Sequence, residues 1–171
     1  LTNPLGYTLP QLHFSWQVED ARGTKQTAAR LVVAKNADLT EVIYDSGFAD
    51  LNPLAAEVKM ETAPRTRYYW AVTVRTDADE EATSATNWFE TAKQNELWQA
   101  QWLTCDNAEP RHPVFCKTLP CTDVAAARLY ICGLGLYEAT LNGEKIGDEY
   151  LTPYGNNYDA WLQYQTYDIT A

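Results

Sequence analysis

The chain has 171 residues, room for one large domain or two of about 80–100 residues each. Hydrophobic residues make up 46% and the net charge is −10, so real cores are within reach, while phosphate backbones and anionic membrane surfaces are repelled. No run of about 18 apolar residues and no signal-peptide pattern occurs, so no membrane span is expected; the start at Leu1 reads as a processed or trimmed segment.

Helical periodicity is nearly absent, and short alternating segments separated by turn signals predict an all-β chain. Phe14, Trp16 and Val18 alternate with His13, Ser15 and Gln17. Ala29, Leu31 and Val33 form a second apolar row, and residues 42–44 form a short third strand closed by the turn Asp45-Ser46-Gly47. Tyr68, Trp70, Val72 and Val74 line one face of a long strand. An acidic turn at 77–81 follows, and then a strand over 87–91. About seven strands in the first 92 residues match the count of an immunoglobulin or fibronectin type III sandwich, with Trp16 and Trp70 as core anchors. No cysteine pair bridges that region, which excludes the antibody variant.

Residues 92–96 are polar and read as a linker. Beyond them, strands are expected over 98–103, 114–119, 128–132, 137–141, 145–150 and 164–169. Residues 128–147 read as a β-hairpin, with Asn142-Gly143 suited to a type I′ turn. The predicted division is therefore 1–92 and 97–171.

Chemistry-bearing patterns are sparse. Asp77, Asp79, Glu80 and Glu81 offer oxygens for a Ca²⁺ loop, but without EF-hand spacing they read as a solvated hairpin tip. His13 and His112 have no ligand set nearby, and neither a Ser-His-Asp spacing nor a G-x-S-x-G elbow occurs. Gly133-Leu134-Gly135 lacks the third glycine of a dinucleotide loop and reads as a bulge or a close backbone approach. No catalytic residue, metal ligand or cofactor is assigned. Cys105, Cys116, Cys121 and Cys132 admit two readings, small buried hydrophobes in strands or two disulfides in an oxidising compartment.

The six Trp and eleven Tyr read mainly as core and strand residues. The exception is the loop 150–161, where Tyr154, Asn156, Asn157, Tyr158 and Trp161 combine rings with amides. Sugars present apolar C–H faces and hydroxyls, which such a set can stack on and hydrogen-bond. The competing reading is that these rings pack against further chain.

Four ordered blocks carry a resemblance. They are Asn3-Pro4-Leu5-Gly6 with Phe14-Ser15-Trp16, and Gln26-Thr27-Ala28 through Leu31-Val32-Val33-Ala34 to Tyr44-Asp45-Ser46-Gly47. Next come Arg67-Tyr68-Tyr69-Trp70 to Phe89-Glu90-Thr91 and Trp98, then LYICGLGLYEATLNGEKIGD over 129–148 with Tyr164-Gln165-Thr166-Tyr167-Asp168-Ile169-Thr170. In these the chain resembles the N-terminal region of bacterial α-L-rhamnosidases. The resemblance implies a fibronectin-like domain followed by the N-terminal part of a jelly roll similar to galactose-binding domains. Catalysis in that family lies downstream, in an (α/α)₆ barrel with two acidic residues that nothing here matches. Between Pro153 and Tyr158 many relatives read Gly-Trp-Thr-Asp, where this chain has Tyr154-Gly155-Asn156-Asn157. The implied function is a non-catalytic segment that supports or flanks the catalytic barrel of a glycoside hydrolase, in a periplasmic or extracellular setting. Its partners would be the rest of the parent chain and rhamnose-containing glycans. The alternatives are an independent carbohydrate-binding module and a protein interaction or adhesion module.

Overall fold

The computed structural model describes residues 2–106 and 112–170. Among them the chain forms strands and turns but no helix, in two units, Leu1–Gln94 and Asn95–Ala171. The first unit holds β1 (Leu5–Tyr7), β2 (Leu12–Phe14), β3 (Gln26–Ala34), β4 (Val42–Asp45), β5 (Ala56–Val58), β6 (Arg67–Thr76), β7 (Glu81–Thr83) and β8 (Asn87–Thr91). The second holds β9 (Arg128–Ile131), β10 (Thr140–Leu141), β11 (Glu144–Lys145) and β12 (Gln165–Asp168).

In the first unit the large sheet runs β1-β8-β6-β3-β4, with β7 paired to β6, and β2 and β5 form a separate antiparallel pair. Period-two alternation explains the packing. Ala29, Leu31 and Val33 of β3 point inward with Tyr68, Val72 and Val74 of β6 and Phe89 of β8. Leu12, Phe14 and Val58 of the small sheet belong to the same core, which makes the unit a β-sandwich. Phe14 meets the Trp70 ring edge-on at 4.9 Å and Phe89 at 5.9 Å, and Tyr68 stacks on Phe89 at 5.3 Å.

Several expectations are corrected here. The strand expected around Trp16 is β2, which ends at Phe14, because the chain then turns to a different use of its polar groups. Trp16 N donates to Pro53 O at 3.0 Å and its Nε1 donates to Gln26 Oε1 at 3.0 Å. Trp16 and Trp70 pack against the core while Ala29, Leu31 and Val33 are its fully buried members. The acidic turn is the solvent-exposed tip of the β6–β7 hairpin, as expected, and it is also braced. Asp77 accepts from Thr24 N, Thr24 Oγ1 and Lys25 N, and Glu80 accepts from Arg22 N, Arg22 Nε and Gly23 N. The carboxylates therefore tie the β6–β7 turn to the loop that enters β3.

In the second unit residues 98–103 and 114–119 are not strands. An alternating apolar stretch becomes a strand only when a second strand supplies the ladder, and no described neighbour does. The 128–147 hairpin is also redistributed. β9 pairs antiparallel with β12, and the hairpin shrinks to β10 and β11 around Asn142 (φ 53°) and Gly143 (φ 90°), the two positive angles that a type I′ turn requires. Neither cysteine reading survives for Cys105, Cys116 and Cys121, which are free and exposed because their segments lie outside any sheet. Cys132 is half-buried just past β9, with Sγ 3.2 Å from Gln163 O.

Candidate functional site

The loop 150–161 is fastened at its start by a β-bridge. Tyr137 N donates to Thr152 O at 3.0 Å and Thr152 Oγ1 donates to Tyr137 O at 3.1 Å. Thr152 and Pro153 are buried and joined by a cis peptide bond. Leu151 and Tyr154 on either side adopt left-handed backbone at φ 58° and 69°.

The five residues singled out in the sequence divide into two groups. Asn156 Oδ1 accepts from Gln163 N at 2.8 Å, and its Nδ2 lies 3.5 Å from Gly133 O. Asn157 Oδ1 accepts from Asp159 N at 3.3 Å, and its backbone O accepts from Ala160 N and Trp161 N. Both amides thus shape the loop, as Asn side chains do in turns. Tyr154, Tyr158 and Trp161 instead face solvent, at 56%, 61% and 50% exposure.

Beneath the loop lies a group that sequence reasoning did not single out. Tyr137 donates its hydroxyl to Gln165 Oε1 at 2.7 Å, and Tyr167 is buried beside it. Burial, and then the neighbouring Tyr167 hydroxyl, push the Tyr137 phenol above its usual range; Tyr167 is raised mainly by burial. The available signal was the pairing of β9 with β12, which local spacing does not reveal. Gly133 fulfils the close-approach reading, since a Cβ there would stand 2.7 Å from the Tyr137 ring.

In the first unit the carboxyls of Asp45, Asp77 and Glu80 are pushed down in pKa by hydrogen bonds. Among the described residues no group of three or more His, Cys, Asp or Glu is arranged to hold a metal ion, and no helix is long and apolar enough to cross a membrane.

The class defined by this architecture is an all-β chain, with an immunoglobulin-like sandwich followed by a second, sparsely paired β unit. Residues 1–95 match the family described as Rha78A-like, N-terminal immunoglobulin domain, and residues 122–171 match the Alpha-L-rhamnosidase N-terminal domain. An α-L-rhamnosidase of Formosa agariphila is 30% identical over 99% of this chain and 21% of its own length. One from Streptomyces avermitilis is 51% identical over 53 residues, 31% of this chain and 5% of its own length. The solved structure of the α-L-rhamnosidase from Dictyoglumus thermophilum superposes with a TM-score of 0.81 at 29% identity, covering 98% of this chain and 22% of that one. The chain belongs to the family of α-L-rhamnosidase N-terminal regions, led by a Rha78A-like immunoglobulin domain. It spans about a fifth of the length of the relatives it matches.

Proposed function

We propose that the chain is the non-catalytic N-terminal segment of an α-L-rhamnosidase-like glycoside hydrolase, supporting or flanking a catalytic barrel carried elsewhere in the parent protein. Residues 1–92 are read as the fibronectin-like sandwich and 97–171 as the first part of a jelly roll. One observation carries the reading. Among the described residues fifteen hydrophobic side chains are buried, and of these only Tyr167 lies in the second unit, while Leu97 and Val114 stand 89% and 90% exposed. A unit that buries so little cannot offset its own ordering entropy, and more of the same polypeptide is the natural cover. Reading the coding sequence that flanks residues 1–171 tests this. A helical barrel of several hundred residues on the C-terminal side supports it, and a stop codon shortly after Ala171 overturns it. The purified segment is expected to leave p-nitrophenyl rhamnoside intact. The parent is placed in the periplasm or outside the cell, where glycosides are encountered, and fractionation with an antibody against the first unit tests that location.

A second reading is sugar binding by the loop bearing Tyr154, Asn156, Asn157, Tyr158 and Trp161. It is favoured by three solvent-facing rings within eight residues of each other on one hydrogen-bonded loop. Titration with L-rhamnose should then quench Trp161 fluorescence saturably, and a Trp161→Ala chain should lose that response. An unchanged response in the variant removes the reading.

A further inference from the structure

The second unit contains a cleft of about 230 Å³ next to β11 and the start of the 150–161 loop. Tyr137, Thr152 and Tyr167 line it, and its charged groups are Glu138, Glu149 and Lys145. Three large apolar side chains stand around it in water: Leu136 is 66% exposed, Leu151 70% and Tyr150 78%. We propose that this cleft is a docking slot for one arginine side chain carried by another part of the parent polypeptide.

Charge gives the first argument. Two carboxylates meet one ammonium, so the cleft carries a net negative charge. Among the described residues neither Glu138 nor Glu149 is in an ion pair. Lys145 is engaged elsewhere, donating to the main-chain Glu149 O at 2.7 Å with its Nζ 3.7 Å from the centroid of the Tyr150 ring. Behind burial, the Glu149 charge is one of the causes that raise both the Tyr137 and the Tyr167 phenol. An entering anion would meet both carboxylates, whereas a cation compensates them.

Shape gives the second. Gly147 sits at φ 74°, and a Cβ there would come within 2.5 Å of Glu149 Oε2 and 2.6 Å of Tyr167 Cε1. The glycine lets the carboxylate lie beside the phenol ring. A carboxylate held among aromatic rings suits a planar guanidinium. The guanidinium fork gives two parallel N–H bonds, its face stacks on a ring, and it sheds water more readily than an ammonium. Tyr137 donates its hydroxyl to Gln165 and Thr152 Oγ1 donates to Tyr137 O, so both oxygens keep lone pairs for further N–H donors. The volume falls below the roughly 300–1,000 Å³ typical of pockets for drug-sized ligands, which fits one side chain.

The exposed apolar surround points to a polypeptide as the carrier. An arginine anchor ringed by side chains that exclude water is a recurrent centre of protein interfaces. The chain spans only 21% of the length of the Formosa agariphila relative, so a parent of that size holds ample further chain to supply it. The source of the arginine rests on the function proposed above, and the slot itself rests on the geometry alone.

The test follows the methyl resonances of Ile146 and Leu151 and the amides of Gly147 and Thr152 in the 171-residue chain. N-acetyl-arginine amide and its neutral isostere N-acetyl-citrulline amide are titrated in turn. The arginine probe should give saturable shifts in the millimolar range, and the citrulline probe should bind roughly tenfold more weakly, the value of about one charged hydrogen bond. Glu149→Gln should weaken the arginine probe by a similar factor, and Tyr150→Ala, which alters an exposed ring, by about threefold. Unshifted amides elsewhere in each variant certify its fold. In the parent protein the same methyl groups should not respond, because the slot is already filled. No saturable shift with the arginine probe, or equal binding of citrulline, removes the slot. A probe that binds the parent as well as the 171-residue chain removes the parent polypeptide as donor. A reading frame that ends near Ala171 sinks the function proposed above and the donor with it, while the titration of the 171-residue chain still decides the slot.

Discussion

Arg67 and Glu90 face each other across the β6–β8 ladder, with Arg67 Nη2 3.0 Å from Glu90 Oε2. The same guanidinium lies 3.9 Å from the centroid of the Trp88 ring, and Glu90 N donates to Pro4 O at 2.9 Å. The pair therefore sits where β1, β6 and β8 meet, with the Glu90 side chain 5% exposed and that of Arg67 28%. Breaking one half of such a pair strands the other charge away from full hydration. Glu90→Ala should destabilise the first unit by about 2 kcal/mol, below the full value for a deeply buried pair because Arg67 reaches solvent. Urea unfolding monitored by Trp fluorescence measures it. The double variant Arg67→Met with Glu90→Leu should recover most of the loss.

Acid should loosen the first unit before neutral or mildly alkaline pH does. Asp45 is lowered to about 2 by the Arg30 guanidinium and then by the Gly47 amide, and Glu80 to about 2 by the Gly23 amide and then by Arg22. A carboxyl with a depressed native pKa stabilises fully above its unfolded value and loses that contribution as protons force their way on. Melting temperature should hold above pH about 4.5 and fall between there and pH about 2. Asp45→Asn and Glu80→Gln should each flatten that fall. An unchanged slope in both variants would show that the braces contribute nothing. The Asp45 side chain is 36% exposed and that of Glu80 25%, so both still reach solvent and salt should also shrink the effect.

Truncation experiments should separate the two units. Leu31 is wholly buried in β3, and Leu31→Ala should cost about 3 kcal/mol in urea unfolding. Leu97 is 89% exposed, and Leu97→Ala should stay within about 0.5 kcal/mol. In the parent chain, if the second unit is covered as proposed, the Leu97 substitution should become clearly costly.

Thiol reactivity should divide three to one. Cys105, Cys116 and Cys121 are exposed, whereas Cys132 is half-buried and burial raises its pKa. A disulfide-exchange reagent at pH 8 should modify three thiols quickly and the fourth slowly in folded protein, and all four together in denaturant. Four equal rates would contradict the placement of Cys132.

The sandwich was legible because its strands repeat with period two against a single core. Leu31 and Val33 on β3 and Tyr68, Val72 and Val74 on β6 are inward-facing residues whose spacing alone marks them. The Asn142-Gly143 turn was legible for a similarly local reason, since its backbone angles demand those residues. In the candidate loop, composition identified the three exposed rings but could not tell that Asn156 and Asn157 spend their amides on Gln163 and Asp159.

What remained hidden depends on partners far along the chain. Nothing near Asp77 announces that it will cap Thr24 and Lys25, and nothing near Tyr137 announces Gln165. The alternating residues of 98–103 and 114–119 have strand-like spacing and no ladder, because a strand is a property of two segments rather than one. Local alternation and turn chemistry were enough to specify an all-β chain and its first core. Which strands pair, which carboxylates brace loops, and how the cleft beside Gly147 closes were settled only by three-dimensional packing, since hydrogen bonds and excluded volume act between groups that sequence distance does not relate.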